Sequence, residues 1–481
     1  MIDVAVIGAG PLGLSVAQEL KQQGFTDFRV FEASDDVGGT WHLHSYPGLA
    51  CDVWAHSYTF PWARNPNWSA NFVDQSEIEA YIQRTAKEKG LTPYVRLNTP
   101  IARMEYQSDG SWKIESESGE VFEARSVVSC IGNQFTPLMP AIEGLETFKG
   151  EAWHSTNWRH DVDLKGKKVA VIGSAAAAVQ IVPELAKQAA ELTVFQRTAN
   201  WIMPRNKKEY SEGFKRAMNR FPFLNEALVW GQGQLMKLVH KATTLGHKRM
   251  EQFEATALKF IDRAIDDPEL RKAVTPKTRY GCKRPLVSDD FYPALNLPHV
   301  NLIPEGVTAL EENAVIASNG RRVEVDAIVF ATGYRVLDFD RVPVIGRNGR
   351  ELAKQMSEAP EAYKGMAVPG FPNFFFGIGP NGVALTVSYF ITAHLNAQAI
   401  VRVLKQQREK GLNSIEIDES KSRQYNDWMI EQFPKFSWGN AACQSYYRSP
   451  TGHVPFLYPD DFKHFKQERA SFSLEEFQVQ L

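Results

Sequence analysis

Cysteine is scarce in this sequence, and its spacing argues against several classes of protein. The four cysteines among 481 residues are Cys51, Cys130, Cys282 and Cys443. They are too few and too scattered for a disulfide framework. No two of them form the C-x-x-C pair that is typical of zinc sites and disulfide reductases, so no metal site is expected. We therefore expect four reduced thiols in a cytoplasmic protein.

Long apolar runs and an excess of charge of one sign are also missing. No run of about 18 apolar residues occurs, so the sequence predicts no membrane span. The apolar N-terminus has no basic flank and is soon broken by glycines, which favours a buried strand over a signal peptide. The formal net charge of −2 gives no electrostatic argument for binding nucleic acid or an anionic membrane surface.

An internal repeat is the most informative feature that is present. The pentapeptide Val-Ala-Val-Ile-Gly occupies residues 4–8 and again residues 169–173. Each copy is a short β-branched run, followed by small residues, a helical stretch and a second apolar strand. The second strands are residues 28–31 and 192–195. Two βαβ units of this kind predict an α/β protein with two doubly wound, Rossmann-like nucleotide-binding domains in series.

The first unit carries a complete dinucleotide-binding turn. Gly8 permits the tight turn, Gly10 lets the backbone approach a diphosphate, and Gly13 lets the helix pack closely on the strand. Pro11 opens the helix, whose free N–H groups favour an anion. Glu32 ends the second strand, where an acid binds a ribose hydroxyl. These residues predict an FAD site; the alternative is a tight turn with a solvated glutamate.

In the second unit, the residue equivalent to Glu32 is Arg197. A guanidinium suits a 2′-phosphate, so this site favours NADPH over NADH. The turn reads Gly173, Ser174, Ala175 and then three more alanines, so alanine replaces two of the three glycines. A methyl group at Ala175 would crowd the diphosphate. The alternative is therefore a duplicated fold that has lost its nucleotide.

Residues 38–52 read Gly-Gly-Thr-Trp-His-Leu-His-Ser-Tyr-Pro-Gly-Leu-Ala-Cys-Asp. This stretch resembles the fingerprint of Baeyer–Villiger monooxygenases at every defined position: Ala/Gly-Gly-x-Trp, four residues, Tyr/Phe-Pro-Gly/Met, three residues, Asp. The resemblance implies FAD contacts from Gly39, Thr40, Trp41 and Asp52. Trp41 is alternatively a core anchor of its turn.

A second family pattern is met only in part. Phe148, Gly150, His154 and Trp158 match the related pattern Phe-x-Gly-x-x-x-His-x-x-x-Trp, but Arg159 follows where the pattern has Pro or Asp. Ser155 and Arg159, however, resemble the flavin-containing monooxygenases that oxygenate nitrogen and sulfur. The segment therefore supports the superfamily and leaves the reaction subtype open. We interpret His154 as a hinge between the two nucleotide domains; a packed, hydrogen-bonded histidine is the alternative.

Later stretches resemble the same superfamily. The resemblance places Thr198 beside Arg197 at the NADPH phosphate, Lys283 at that same phosphate, and Arg284 over the flavin. It also gives a flavin contact to the turn that contains Asn381. Lys283 and Arg197 are alternatively solvated surface cations.

The resemblance also implies a reaction. NADPH reduces FAD, and O₂ then forms a C4a-peroxyflavin that oxygenates a small organic substrate. Baeyer–Villiger oxidation of a ketone to an ester or lactone needs an anionic peroxide. Arg284 would stabilise this anion, and Asp52 would orient Arg284. The alternatives are N- or S-oxygenation and, outside catalysis, a flavoprotein scaffold or redox sensor.

The domain organisation follows from these assignments. The FAD domain is expected to be discontinuous, comprising residues 1–140 and 335–481. Residues 141–160 are interpreted as a linker, and residues 161–334 as the NADPH domain. Within the latter, residues 207–275 have helical spacing and are interpreted as an insertion. It either covers the substrate cleft or serves packing alone.

Overall fold

The computed structural model describes residues 1–443, 445, 447–449 and 452–480. Its strands, numbered in chain order, are β1 (Ile2–Ile7), β2 (Phe28–Phe31), β3 (Val95–Arg96), β4 (Ile101–Tyr106), β5 (Trp112–Ser116), β6 (Val121–Ser129), β7 (Glu151–His154), β8 (Lys168–Ile172), β9 (Glu191–Phe195), β10 (Ile202–Met203), β11 (Leu286–Val287), β12 (Val300–Ile303), β13 (Val307–Glu311), β14 (Ala314–Ala317), β15 (Arg322–Glu324), β16 (Ala327–Phe330), β17 (Val344–Ile345), β18 (Phe374–Phe376), β19 (Ser414–Ile417) and β20 (Phe477–Gln480). Its α-helices are α1 (Pro11–Gln22), α2 (Thr40–Leu43), α3 (Gln75–Glu88), α4 (Ala176–Leu185), α5 (Glu212–Arg220), α6 (Pro222–Thr243), α7 (Lys248–Ala264), α8 (Pro268–Val274), α9 (Phe291–Leu295), α10 (Leu352–Glu358), α11 (Tyr389–Glu409), α12 (Glu419–Gln432) and α13 (Phe462–Ser471).

The first βαβ unit lies at the centre of the larger sheet. Strand β1 is parallel to both β2 and β6, and the strand order is β17-β4-β5-β6-β1-β2-β3, with β18 also pairing with β6. Val4, Ala5 and Val6 are at most 1% exposed, as expected for a strand covered on both faces. Because β17 and β18 come from the second half of the chain, early and late residues share this sheet.

The second βαβ unit builds a separate sheet of five parallel strands, in the order β12-β9-β8-β16-β7. The predicted α/β fold with two doubly wound units is therefore confirmed. Strand β7 belongs to this sheet although it lies within the stretch interpreted as a linker. The proposed domain boundaries stay a prediction.

Two connections between the sheets run side by side. The backbone N–H of Leu138 donates to the carbonyl oxygen of Gly333 at 2.8 Å, and that of Arg335 donates to Thr136 at 3.0 Å. The Thr332 hydroxyl donates to the carbonyl oxygen of Leu138 at 2.7 Å. The chain therefore leaves the first sheet and returns to it through one paired crossing.

Residues 207–275 hold helices α5 to α8, which confirms their predicted helical character. Helix α6 turns polar side chains inward: Asn225 contacts His56 at 3.1 Å, and the Ser57 hydroxyl donates to Gln232. These contacts attach the insertion to the segment that follows Asp52. In the part of the chain that the structure describes, no helix has the length and apolarity needed to cross a membrane.

Candidate active site

The first turn has the geometry that its glycines predict. Gly8 has φ +104°, and a Cβ there would lie 2.7 Å from the carbonyl oxygen of Cys130. A Cβ on Gly13 would lie 1.8 Å from the carbonyl oxygen of Gly8, so only glycine lets α1 approach β1 this closely. Glu32 is 7% exposed and accepts hydrogen bonds from the backbone N–H groups of Ala9 and Ser34 at 2.6 and 2.9 Å. It is therefore a buried part of the turn and not a solvated glutamate.

The residues of this turn fit a dinucleotide. Gly10 precedes α1 and has no side-chain acceptor to cap the helix, so the first N–H groups of α1 can bind an anion. A Cβ on Gly39 would lie 2.9 Å from the Cα of Gly10, so the two bare backbones approach each other closely. A side chain at Gly39 would collide with the backbone at the mouth of the turn.

A cavity of about 580 Å³ extends from this turn. This volume is typical of a small-molecule or cofactor site. The predicted site residues that line the cavity are Gly8, Gly10, Pro11, Glu32, Gly39, Thr40, Trp41, Asp52 and Arg284. Ala176 and Gln180 of α4 also line it, so the cavity is bounded by both βαβ units.

Asp52 and Arg284 meet in this cavity although 232 residues separate them. A guanidinium N–H (Nη2) of Arg284 donates to Oδ1 of Asp52 at 2.5 Å. The side chains of Arg284 and Asp52 are 40% and 21% exposed, so the pair is partly open to solvent or ligand. A permanent cation thus faces the cavity and is oriented by a carboxylate.

Two tyrosines near this pair remain neutral. Burial raises the pKa of Tyr46 and of Tyr58 well above the usual range, and the Asp52 carboxylate adds to both shifts. The indole N–H of Trp41 donates to the Tyr58 hydroxyl at 3.1 Å, and Trp41 is buried. Trp41 is therefore both a core anchor and part of the cavity wall.

The second turn keeps the one glycine that its backbone requires. Gly173 has φ +120°, and a Cβ there would lie 2.3 Å from the carbonyl oxygen of Ala331. The Ser174 hydroxyl donates to the carbonyl oxygen of Thr198 at 3.1 Å. Ala175 is exposed and precedes α4, and its side chain has no acceptor for the first N–H groups of the helix. The N-terminus of α4 can therefore bind an anion although alanine replaces two glycines of the turn.

The three predicted phosphate ligands come together beside this turn. The Lys283 ammonium donates to the hydroxyl of Thr198. Burial lowers the pKa of Lys283, and the nearby Arg197 guanidinium lowers it further. Two cations held this close favour an anion between them, which is the environment a 2′-phosphate needs.

His154 and Asn381 are both buried. Nδ1 of His154 accepts from the Thr156 N–H at 3.1 Å, and the ring lies edge-on to Tyr334. Burial lowers the pKa of His154 to about 4, so the ring is neutral near pH 7. The Asn381 amide donates to the carbonyl oxygens of Val454 and Leu457, at 2.6 and 2.8 Å, and supports the cavity wall from behind. The hinge role of His154 and the flavin contact of Asn381 stay predictions.

Arg159, which suggested nitrogen or sulfur chemistry, lies at the surface. Its guanidinium pairs with Asp161 at 2.6 Å and with Glu151 at 3.4 Å. It is absent from the described lining of the cavity, so it carries no information on the reaction there.

Sequence reasoning missed Gln180. Its side chain accepts from the Tyr46 hydroxyl at 3.1 Å and donates to the carbonyl oxygen of Ala50 at 2.8 Å, which ties α4 to the fingerprint segment. No local pattern marks a glutamine within a helix for this role. Tyr334 and Arg341 also line the cavity. Tyr334 could have been found, because it directly follows Ala331-Thr332-Gly333, the stretch after β16 where the chain crosses back to the first sheet.

The expectation of four reduced thiols is wrong for two of them. The structure joins Cys282 and Cys443 in a disulfide across 161 residues, with their Cα atoms 5.6 Å apart. Cys51 and Cys130 are free and buried, and burial raises the pKa of both thiols. The pairing depends on the folded contact between a loop and the C-terminal segment, which no cysteine spacing signals.

Comparison with known proteins places the chain in a family. The model of the flavin-binding monooxygenase-like family matches residues 2–405. A Baeyer–Villiger monooxygenase of Pseudomonas aeruginosa is 38% identical over 95% of this chain and 87% of its own length. A Baeyer–Villiger monooxygenase of Streptomyces coelicolor is 37% identical over 99% of this chain and 92% of its own length.

Solved structures share the fold at lower identity. OTEMO in complex with FAD and NADP superposes with a TM-score of 0.90 at 24% identity, and each chain is covered to 99%. The closed structure of cyclohexanone monooxygenase superposes with a TM-score of 0.89 at 22% identity, over 100% of this chain and 99% of the other. The family model and the near full-length relatives show that the chain belongs to the flavin-binding monooxygenase-like family of flavin-dependent oxidoreductases.

Proposed function

We propose that the protein is an FAD- and NADPH-dependent Baeyer–Villiger monooxygenase that uses O₂ to convert a ketone into an ester or lactone. The Arg284–Asp52 pair carries the proposal, because it places a fixed positive charge in a cavity bounded by both nucleotide-binding units. The two relatives named Baeyer–Villiger monooxygenase support the same reaction. Because the family is one of monooxygenases, we do not retain the scaffold alternative.

The proposed roles follow the geometry. The turn at Gly8, Gly10 and Gly13 would hold the FAD diphosphate, and the remaining acceptor capacity of Glu32 would bind the ribose. The open N-terminus of α4 would hold the NADPH diphosphate, while Arg197 and Lys283 would hold its 2′-phosphate. Bound FAD, once reduced by NADPH, supplies the oxygen-activating chemistry.

The protein's own contribution to the chemical step is electrostatic. Arg284 keeps its proton at any working pH, so it holds positive charge where negative charge develops. Asp52 fixes the direction of the guanidinium. The neutral Tyr46 and Tyr58 add no anion to compete for it. Apolar side chains of the wall exclude water, which strengthens these interactions; they include Val383, Leu385, Val387, Phe456 and Leu457.

Product analysis with isotopically heavy O₂ tests the proposal. The purified protein would be mixed with NADPH and a cyclic ketone, and in parallel with an aryl methyl sulfide. We expect a lactone that contains one heavy oxygen atom, and bleaching of the oxidised flavin by NADPH under anaerobic conditions. A sulfoxide without any lactone, across a panel of cyclic and open-chain ketones, would instead favour S-oxygenation.

A cytoplasmic location, expected from the sequence, stays a prediction. In that compartment thioredoxin and glutathione keep most thiols reduced, and cytosolic disulfides are usually transient or redox-sensing. The Cys282–Cys443 disulfide therefore raises the question of what its reduction would change.

A further inference from the structure

The disulfide directly precedes the two cations of the proposed site. Cys282 is followed by Lys283, which contacts Thr198, and by Arg284, which pairs with Asp52. Both half-cystines are buried, at 2% and 5% exposure for Cys282 and Cys443. The covalent link thus lies one residue from a proposed cofactor ligand and two residues from the proposed catalytic cation.

Other anchors hold the loop before Cys282. The Trp201 indole donates to the carbonyl oxygen of Thr278 at 2.9 Å. Glu254 of α7 accepts from the backbone N–H of Tyr280 at 2.9 Å and pairs with the Arg279 side chain at 2.9 Å. These contacts fix the loop on the insertion and the second sheet, upstream of the disulfide.

After the disulfide, the next backbone anchor is β11, where the Leu286 N–H donates to the carbonyl oxygen of Trp201 at 2.8 Å. Residues 283–285 therefore span the gap between the disulfide and β11. Loss of the disulfide would remove the covalent fixation at one end of this short span, and Lys283 and Arg284 would gain conformational freedom.

The other half of the disulfide belongs to the C-terminal part of the chain. The backbone N–H of Cys443 donates to the carbonyl oxygen of Asn440 at 2.9 Å, and the buried Trp438 stacks on Phe436. Four residues beyond Cys443, Tyr447 lines the same cavity as Arg284. The disulfide thus links two segments that both contribute to the cavity wall.

We propose that Cys282–Cys443 is a reversible redox-modification site, with a dithiol as its co-reactant, that controls affinity for NADP(H). One thiolate of the dithiol attacks a sulfur of the cystine, which breaks the Cys282–Cys443 bond, forms a mixed disulfide and releases the other cysteine as a thiolate. The second thiol of the reagent then displaces the remaining protein thiol. The cystine gains two electrons and two protons, and the dithiol leaves as its own disulfide. The effect on affinity rests on the proposed role of Lys283 as a phosphate ligand.

Thermodynamic linkage makes the proposal quantitative. If the disulfide tightens NADP⁺ binding, bound NADP⁺ must make the disulfide harder to reduce by the same factor. For this two-electron couple, a tenfold change in affinity corresponds to a shift of about 30 mV in the reduction potential. The change in NADP⁺ affinity on reduction and the shift in reduction potential on NADP⁺ binding must therefore give the same coupling factor.

The first experiment counts thiols and measures binding on the FAD-containing protein. Alkylation under denaturing conditions and intact-mass analysis should find two thiols in the oxidised protein and four after treatment with dithiothreitol. Equilibrium titration with NADP⁺ should give a Kd about tenfold higher for the reduced form, within the range usual for coupled sites. The reduction potential of the Cys282–Cys443 disulfide, measured by equilibration with glutathione redox buffers, should be lower when NADP⁺ is present.

The double variant C282S/C443S is the matched control. It should bind NADP⁺ as the reduced wild-type protein does and should not respond to dithiothreitol, with its FAD content reporting on folding. Four thiols in protein exposed to oxidised glutathione, or an NADP⁺ affinity that reduction leaves unchanged, would overturn the proposal. If Lys283→Met leaves NADP⁺ affinity unchanged, the phosphate assignment fails and with it the link to affinity, whereas the thiol count is unaffected.

Discussion

The guanidinium of Arg284 is bound to Asp52 at 2.5 Å, and its charge faces the cavity. Replacing Arg284 with Met removes the fixed charge but leaves both nucleotide turns intact. We expect ketone turnover to fall by a factor on the order of 10²–10³, as when one electrostatic stabiliser of a transition state is lost. NADPH should still bleach the flavin, and its oxidation should then release hydrogen peroxide in place of ester. Coupled assays of product and peroxide measure both effects.

Arg216 offers a matched control, since it is an exposed arginine on α5 outside the described lining of the cavity. Arg216→Met should retain coupled turnover. Wild-type ester formation by Arg284→Met would contradict the electrostatic role.

We propose that Arg197 selects NADPH over NADH. It is exposed beside Lys283, where a charge-assisted contact to a phosphate contributes roughly 1.5–3 kcal/mol. Arg197→Gln should therefore raise the KM for NADPH by about 10- to 100-fold and leave the weaker use of NADH almost unchanged. Steady-state kinetics with both cofactors measures the ratio.

Lys187→Gln, at an exposed lysine paired with Glu184 at the far end of α4, should leave both KM values as they are. An equal rise in the KM for NADPH and for NADH in Arg197→Gln would mean that Arg197 supports the fold and does not bind the 2′-phosphate.

At the scale of elements, the contact of α1 with β1 depends on one missing methyl group. Gly13→Ala would place a Cβ 1.8 Å from the Gly8 carbonyl oxygen, so α1 would have to move and the turn would open. We expect the variant to purify with much less FAD than the wild-type protein, measured as the ratio of flavin to protein.

Gly233→Ala is the matched control in α6, where a Cβ would meet no atom within 4 Å other than the neighbouring backbone of its own helix. It should keep its FAD and gain about 0.5–1 kcal/mol of stability, because alanine favours the helix interior. Full FAD occupancy in Gly13→Ala would contradict the packing argument.

The elements that could be predicted from the sequence are those whose signal is local. A buried strand, a glycine turn and a helix follow one another within 30 residues, so the repeat at residues 4–8 and 169–173 predicted both parallel units. Gly13 was predictable for the same reason. Gln180 was not, because its contacts to Tyr46 and Ala50 exist only after α4 packs on the fingerprint segment.

Contacts between residues far apart in the sequence differ in whether any sequence signal predicts them. The Asp52–Arg284 contact was predicted only through family resemblance, since spacing cannot join residues 232 apart. The Cys282–Cys443 pair has no motif at all, and scattered cysteines led to the wrong expectation of free thiols. Its formation depends on where the C-terminal segment packs, which is decided by the whole fold.

For the whole molecule, the crossing between the two sheets is a buried, polar place. His154 ends β7 of the second sheet, and His44 lies on the fingerprint segment that lines the cavity. Both rings lie edge-on to Tyr334, with centroids 6.0 and 5.5 Å from its ring. Burial lowers the pKa of both histidines. Protonation of either would place a positive charge in the buried region where the two sheets meet.

This arrangement predicts that acid weakens the fold. The pKa of His154 is about 4 in the folded protein against an ordinary value of 6.5, so the unfolded chain binds the proton first as the pH falls. The free energy of unfolding should be unaffected above about pH 6.5 and should fall between about pH 6.5 and 4, by at most roughly 3 kcal/mol from this group. Urea unfolding at a series of pH values should therefore show a shallower pH dependence in His154→Gln. The same substitution at His160, an exposed histidine of the same segment, should retain the wild-type slope. Parallel profiles for His154→Gln and the wild-type protein would mean that the pKa of His154 is the same in the folded and unfolded states. That result would contradict the prediction, and the acid sensitivity of the crossing would then come from other groups.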